Sequence, residues 1–533
     1  MSPGARGEIG PRRFHPALVF ALLFAALFAL HTPLLRLPYF WDEAGYYVPA
    51  ARDLLLTGTL IPHSIPSNAH PPLVMAYLAL WWKIAGYAPE VTRTAMLVVA
   101  AFSLLGVFRL AQRIANTEVA IASTVCTALY PVFFAQSSLA HLDLAAAGFT
   151  FWGLHAYVGE RRAATAIWFS LAALAKETAI LAPVALFAWE CSAGILLAVP
   201  REAEGTAALH SGQHRWRSAL LLVPLIPVGL WYTYHHLRTG STFGNPEFFR
   251  YNVEATLHPL RVLLALLMRL WQTFGYLNLY LLTLAALLAM WRPPLQEEDK
   301  ALPRIALGIQ FSFLAVIVAY ALAMALVGGA VLARYMLPVV PLVIIVCVST
   351  LWRRVRLWRG VVAIVALAFV AGWFVNPPYG FSLEDNLAYC DYIRLHQHAE
   401  NFLEARYPMG HVLTAWPASD ELTRPYLGYV TRPMRVFRIE DFSAEQLMSA
   451  ADLRSSFDVA LVFSTKYEPP HPLLERWRLW PEWKTRFFGY HRDVPPAAAA
   501  QILGGQLVYT ETRNGQWVGV IEIEQVMEAQ ATR

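Results

Sequence analysis

Charge is what this chain has least of. Of its 533 residues only 15% are Asp, Glu, Lys or Arg, against roughly a quarter in an ordinary soluble domain, while 57% are hydrophobic. That balance excludes a soluble globular protein and makes lipid the expected solvent. The net charge of +5 is too small for a nucleic-acid surface, and the basic residues sit in short clusters between apolar runs, so no nucleic-acid partner is expected. Cysteine is also scarce. Cys126, Cys191 and Cys347 lie inside apolar stretches and Cys390 stands alone; without a CxxC spacing, neither a disulfide framework nor a cysteine metal site is expected. No GxGxxG or Walker-type loop occurs, there is no internal repeat, and nothing is of low complexity beyond Ala497 to Ala500.

What the chain has is long apolar runs. The first, 15–33, follows Arg6, Arg12 and Arg13 but lacks a small-residue cleavage site, so it reads as a retained helix and not a signal peptide. Further runs fall at 91–112, 117–138, 143–159, 177–199, 217–235, 273–291, 305–327, 331–350 and 360–376, with shorter ones at 72–86 and 163–175. The positive-inside rule separates the two short runs. Arg109 and Arg113, Arg161 and Arg162, Arg215 and Arg217, Lys300 and Arg304, and the cluster from Arg353 to Arg359 all fall in the cytoplasm if 163–175 crosses and 72–86 is an embedded helix. The expectation is a mainly α, polytopic bundle of eleven spans, amino terminus in and carboxyl terminus out. Residues 1–14 are then cytoplasmic and 15–376 form the membrane domain, with outer loops 34–90 and 236–259.

Asn376-Pro377-Pro378 breaks the last apolar run, and 377–533 is polar enough to be a soluble α/β domain outside the cytoplasm. Helix-like stretches at 384–407 and 420–429, buried-strand patterns at 411–416 and 457–464, and a hairpin around Asn514-Gly515 support that reading.

Ionisable residues collect at the outer ends of the spans. Asp42 and Glu43 follow the first helix beside Tyr39, Phe40 and Trp41, where a carboxylate costs free energy unless it faces a cavity or a partner. Capping a helix is the plainer role for Asp42, and again for Asp143 at the start of the fourth span. His70-Pro71-Pro72 opens the embedded helix, Lys176-Glu177 sits in an outer turn, and Arg334-Tyr335 opens the tenth span. An internal Lys176–Glu177 ion pair and a snorkelling Arg334 are the plain alternatives, yet both cations also suit a phosphate. Three carboxylates and three potential phosphate binders on one face are what an enzyme working at the outer lipid boundary requires.

In these residues and their order the chain resembles the GT-C superfamily, in particular the bacterial family 39 relatives of protein O-mannosyltransferases and the lipid A aminoarabinose transferases, over about residues 10–350. The resemblance implies a glycosyltransferase of the bacterial inner membrane. It would take a sugar from a polyprenyl phosphate, not from a soluble nucleotide sugar, and pass it with inversion to a lipid, glycan or protein acceptor outside the cytoplasm. By position Asp42 is then the base that accepts the acceptor proton, a role worth on the order of 10²- to 10⁴-fold in rate. Glu43 and Asp143 would orient it or the acceptor, or hold a divalent cation. Lys176 and Arg334 would neutralise the lipid phosphate, with His70 and Tyr335 as supporting donors. Loop 236–259, with Arg238, Tyr251 and Asn252, would be the lid, although Arg238 and Arg250 equally suit lipid headgroups.

Other readings are a ligase or polymerase using a diphosphate-linked glycan, a polar-lipid transporter or flippase, and a receptor whose helices are mere anchors. The first calls for more arginines than 236–259 offers, the second for mid-membrane charges in paired halves, and the third for far fewer spans.

Overall fold

The computed structural model describes residues 15–197, 218–246, 256–469 and 477–524. The membrane region comprises α1 (Pro16–His31), α2 (Val48–Thr57), α3 (Leu73–Ala85), α4 (Pro89–Ile114), α5 (Thr117–Leu129), α6 (Pro131–Gln136), α7 (Leu142–Val158), α8 (Arg162–Ala175), α9 (Leu181–Leu197), α10 (Leu225–Thr239), α11 (Pro259–Phe274), α12 (Leu279–Met290), α13 (Leu307–Leu326), α14 (Val340–Arg354) and α15 (Trp358–Phe374). Three stretches, Pro16–Leu34, Pro89–Ile114 and Leu307–Leu326, are long and apolar enough to cross a membrane, and the pair α11–α12, bent by 76°, makes a fourth if counted as one span. The other expected crossings correspond to shorter or broken helices. Run 117–138 divides at Pro131, whose missing N–H ends one helix and starts the next. Run 331–350 opens with a 3₁₀ turn, Ala333–Met336, before α14.

Helix α11 is a departure from the sequence reading, which places no helix at 260–272. Its buried face carries Arg261, Arg269 and Gln272, while Leu263, Leu267, Leu270 and Trp271 are exposed. This inverted amphipathicity suits a helix with protein on its polar side and lipid on the other. Arg261 donates to the carbonyls of Ala325 (3.1 Å) and Gly328 (2.6 Å), Arg269 to that of Leu332 (2.7 Å), and Gln272 to that of Val331 (2.7 Å). The helix thereby fixes the turn that delivers Arg334.

Close helix contact inside the bundle depends on small residues. Gly148 of α7 lies against Ser103 of α4 so tightly that a Cβ would come within 2.1 Å of the serine oxygen.

Beyond α15 the chain forms a five-stranded sheet in the order β4-β3-β5-β7-β6, after a two-stranded ribbon, β1 (Gln296–Glu297) and β2 (Lys300–Ala301), between α12 and α13. Strands β3 (His411–Ala415), β4 (Arg435–Ile439) and β5 (Val459–Phe463) run parallel, and β6 (Gly505–Arg513) and β7 (Gln516–Ile523) close the sheet as an antiparallel hairpin. Helix α16 (Ala388–Arg406) covers it, and the connections carry α17 (Ala418–Thr423) and α18 (Ala444–Ala451). The helical pattern at 420–429 is realised as α17 followed by a 3₁₀ turn, Pro425–Leu427, and the edge strand β4 is an addition.

One apolar cluster runs without interruption from Tyr39, Phe40 and Ala44 through α3 into Leu413, Leu461 and Val520 of the sheet. The sheet domain is therefore seated on the 34–48 segment. The closest point of the seam is Gly45, where a Cβ would meet the Trp416 indole at 2.7 Å. Gly45→Val is expected to pry the domain from the bundle, at a cost of about 1 to 3 kcal/mol. The check is a lower melting midpoint together with faster proteolysis after residue 376, and an unchanged digestion pattern counts against the seam.

Candidate active site

The outer segment after α1 is shaped by one buried ion pair. Arg93 of α4 meets both oxygens of Glu43 (2.5 and 2.9 Å), which also accept from the amides of Phe40 (2.9 Å) and Ala140 (2.5 Å). The same guanidinium donates to the carbonyls of Ser138 (2.9 Å) and Pro38 (2.8 Å). Glu43 is fully buried, and all its capacity is used in tying the 38–43 segment to the turn before α7. It does not line a cavity, so its place is that of a structural anchor behind Asp42.

Asp42 points the other way. Trp41 before it adopts φ +46°, a left-handed conformation that costs a non-glycine residue about 1 to 3 kcal/mol. A π-helical turn, Glu43–Tyr47, follows, and Asp42 makes no side-chain capping bond to it. Its carboxylate instead pairs with Arg334 Nη2. Arg334 is 1% exposed and reaches three carboxylates: Asp42, Glu384 through Nη1 at 2.5 Å, and Asp143 through Nε at 3.3 Å. His141 lies against the same guanidinium, Nδ1 3.0 Å from Nη1. Asp143, likewise not a cap, receives Lys176 Nζ at 2.6 Å, and that ammonium stands over the Tyr335 ring at 4.1 Å. Asp42, Asp143, Lys176, Arg334 and Tyr335, each singled out by its position in the sequence, thus form one contiguous network.

It borders a cavity of about 950 Å³ lined by Asp42, Lys176, Tyr335 and Glu384 on the polar side. Phe40, Trp41, Tyr46 and Tyr47 supply aromatic wall from the first outer loop, Tyr232 and Phe243 from α10 and the segment after it, and Trp416, Thr465 and Lys466 from the sheet domain. Arg334 and Asp143 stand behind this wall. With its guanidinium taken up by carboxylates, Arg334 leaves Lys176, Tyr335 and His70 in the bundle, and Lys466 in the sheet domain, among the cationic and donor groups that face the cavity. His70, preceded by Ala69 at φ +56°, is held 3.0 Å from Glu177.

The candidate lid is divided. Phe243 lines the cavity, but Arg238 is exposed on the last turn of α10 and is not part of the lining. Tyr251 and Asn252 lie outside the described residues. Residues that sequence reasoning passed over are Arg93, His141, Glu384, Asp385, Trp416 and Lys466. The adjacent acids Glu384 and Asp385, just past the Pro377-Pro378 break, were a visible signal. Trp416 and Lys466 carried none, because only the docking of the sheet brings them here.

Asp42, Glu43 and Asp143 do not fit a shared divalent cation. Glu43 turns into Arg93, Asp42 and Asp143 are already bridged by Arg334 and Lys176, and the three do not converge on one point. Among the described residues, the one group of three or more metal-ligating side chains close enough to share an ion lies elsewhere, in the sheet domain.

No protein-family model matches the sequence, and no curated protein matches it significantly. Solved structures do. ArnT from Cupriavidus metallidurans bound to undecaprenyl phosphate superposes with a TM-score of 0.54 at 12% identity, over 95% of this chain and 97% of that one. Its apo form gives 0.50 at 13%, over 95% and 98%. The chain shares the fold of ArnT. An apo Archaeoglobus fulgidus oligosaccharyltransferase aligns over 97% of this chain and 75% of its own at 11% identity, with a TM-score of 0.49. The likeness to ArnT spans bundle and sheet domain together.

Outside the bundle, burial pushes the Glu384 carboxyl up to about 8; Arg334 pulls against this, and Asp42, Asp385 and Asp143 reinforce it. Asp385, which accepts from Tyr276 at 2.7 Å, is raised to about 7, again by burial first. Both groups bind protons more tightly folded than unfolded. Their contribution to stability is complete below the ordinary carboxylate range and is lost as pH rises through about 7 to 8. The melting midpoint of the detergent-solubilised protein should therefore fall between about pH 5 and 8. Glu384→Gln, which cannot titrate, should show a shallower fall over that range, and an equal slope in both proteins would sink the assignment.

Proposed function

We propose that this protein is a membrane glycosyltransferase. It transfers a sugar from a polyprenyl-phosphate donor to an acceptor hydroxyl outside the cytoplasm, with inversion at the anomeric carbon. The observation that carries the reading is that Asp42 and Lys176 both line one aromatic-rich cavity between the apolar helices and the sheet domain. A lipid-linked sugar needs an apolar approach for its tail, a cation for its phosphate and a base for the incoming hydroxyl. The fold shared with ArnT, which binds undecaprenyl phosphate, supports the same donor class.

In this reading Asp42 accepts the proton of the acceptor hydroxyl as it attacks the anomeric carbon and the bond to the phosphate oxygen breaks. Lys176 stabilises the charge that develops on the departing phosphate, with Tyr335 and His70 as further donors. Arg334 is a positioning residue. It holds Asp42 aimed at the cavity while it also holds Glu384 and Asp143. Acceptor identity rests with the wall formed by Trp416, Lys466 and Phe243.

The eleven-span arrangement, amino terminus inside, is the topology that puts this cavity outside the cytoplasm. Reporters fused after residues 356 and 400 should read cytoplasmic and external respectively, and a reversed pair would move the cavity to the other side.

The activity is tested by incubating membranes with a panel of polyprenyl-phosphate sugars and following the released polyprenyl phosphate by mass. Asp42→Asn should lower turnover on the order of 10²- to 10⁴-fold while expression and melting stay close to wild type. Near-normal turnover in that variant removes Asp42 as the base.

A further inference from the structure

The sheet domain encloses a group of ionisable side chains that the cavity does not use. His396 and Glu400 stand one turn apart on α16, and Glu421 comes from α17; each is 1% exposed or less. His396 Nδ1 lies 2.6 Å from a Glu421 oxygen and 3.6 Å from a Glu400 oxygen, and one potential ligand atom from each residue falls within 4.8 Å of the others. Outside the group, neither oxygen of Glu400 meets a hydrogen-bond donor, nor does Glu421 Oε1 or His396 Nε2 have a partner. The surroundings are aromatic: Tyr392 stacks on the imidazole at 3.9 Å and Phe463 meets it at 4.5 Å. Among the described residues no lysine or arginine pairs with either glutamate.

With both carboxylates ionised and no cation present, the group would hold a buried negative charge without compensation, which is strongly unfavourable. A dication with two carboxylates and a neutral imidazole sums to zero. One nitrogen and two carboxylate groups, either of which can supply one or two oxygens, is a donor set suited to Zn²⁺, and the buried, aromatic setting is that of a structural ion. We propose that His396, Glu400 and Glu421 bind a zinc ion in the sheet domain, separated from the Trp41-Asp42 segment by the Tyr392 ring. The ion would lock α17 to α16. Because Trp416 lies five residues before Glu421 on the same corner, zinc would also fix the part of the sheet domain that forms the cavity wall and packs on Gly45.

The test reads metal, not transfer, so it stands apart from the proposed activity. Full-length protein purified in detergent without chelator should retain about one zinc per chain by mass spectrometry. Chelation should lower the melting midpoint and added Zn²⁺ restore it. Glu400→Gln should lose the zinc and the response to added Zn²⁺, whereas Asp42→Asn should keep both. Should Glu400→Gln fail to fold, Co²⁺ exchanged into the wild type must give visible bands and an X-ray absorption spectrum with imidazole and oxygen ligands. Absence of stoichiometric zinc and of any response to added Zn²⁺ overturns the proposal, as does a Glu400→Gln variant that keeps its zinc. A metal-free Glu400→Gln protein more stable than a metal-free wild type would identify a proton shared between the glutamates instead.

Discussion

The pairing of Glu43 with Arg93 is the constraint on which the end of the bundle facing the sheet domain depends. Five of its contacts end on backbone or side chain from three separate segments: the stretch after α1, the amino-terminal part of α4, and the turn before α7. A buried charge pair with every donor and acceptor engaged is tolerable where a half-satisfied one is not, and loss of either partner typically costs about 3 to 5 kcal/mol. It fixes where Asp42 and Asp143 begin, and leaves their side chains free to face Arg334.

Around Arg334 the electrostatics are of a different kind. One guanidinium serves three carboxylates, and Lys176 adds one further cation. Burial, reinforced by the neighbouring carboxylates and opposed by Arg334, is why Glu384 retains its proton well above the ordinary carboxylate range. A network so balanced responds to an anion entering the cavity, since added negative charge competes with the carboxylates for Lys176 and Arg334. The aromatic lining acts in the same direction by excluding water and lengthening the reach of every charge.

Much of this was legible in the sequence, and the pattern of success has a physical cause. Asp42, Asp143, Lys176, Arg334 and Tyr335 stand at helix ends beside apolar runs, where an ionisable residue is costly and therefore conspicuous. The α/β alternation of the last 150 or so residues likewise announced strands β3, β5, β6 and β7. Arg93 was hidden because it lies inside an apolar run and finds its partner only when α4 packs under the first outer loop. Helix α11 was hidden because Arg261 and Arg269 interrupt its hydropathy, although their spacing with Gln272 on one face was there to be read. Trp416 and Lys466 could not be found at all, since their relevance is created by tertiary docking.

The seam between Gly45 and Trp416 makes the sheet domain something other than an interchangeable module. Residue 45 lies three positions from Asp42, and its missing side chain is filled by an indole from 371 residues later in the chain. A chimaera that grafts another outer domain onto this bundle would have to bring a ring of matching size to that notch or leave a void beside the carboxylate. Any natural exchange of such domains is thus expected to leave its trace as paired changes at positions 45 and 416.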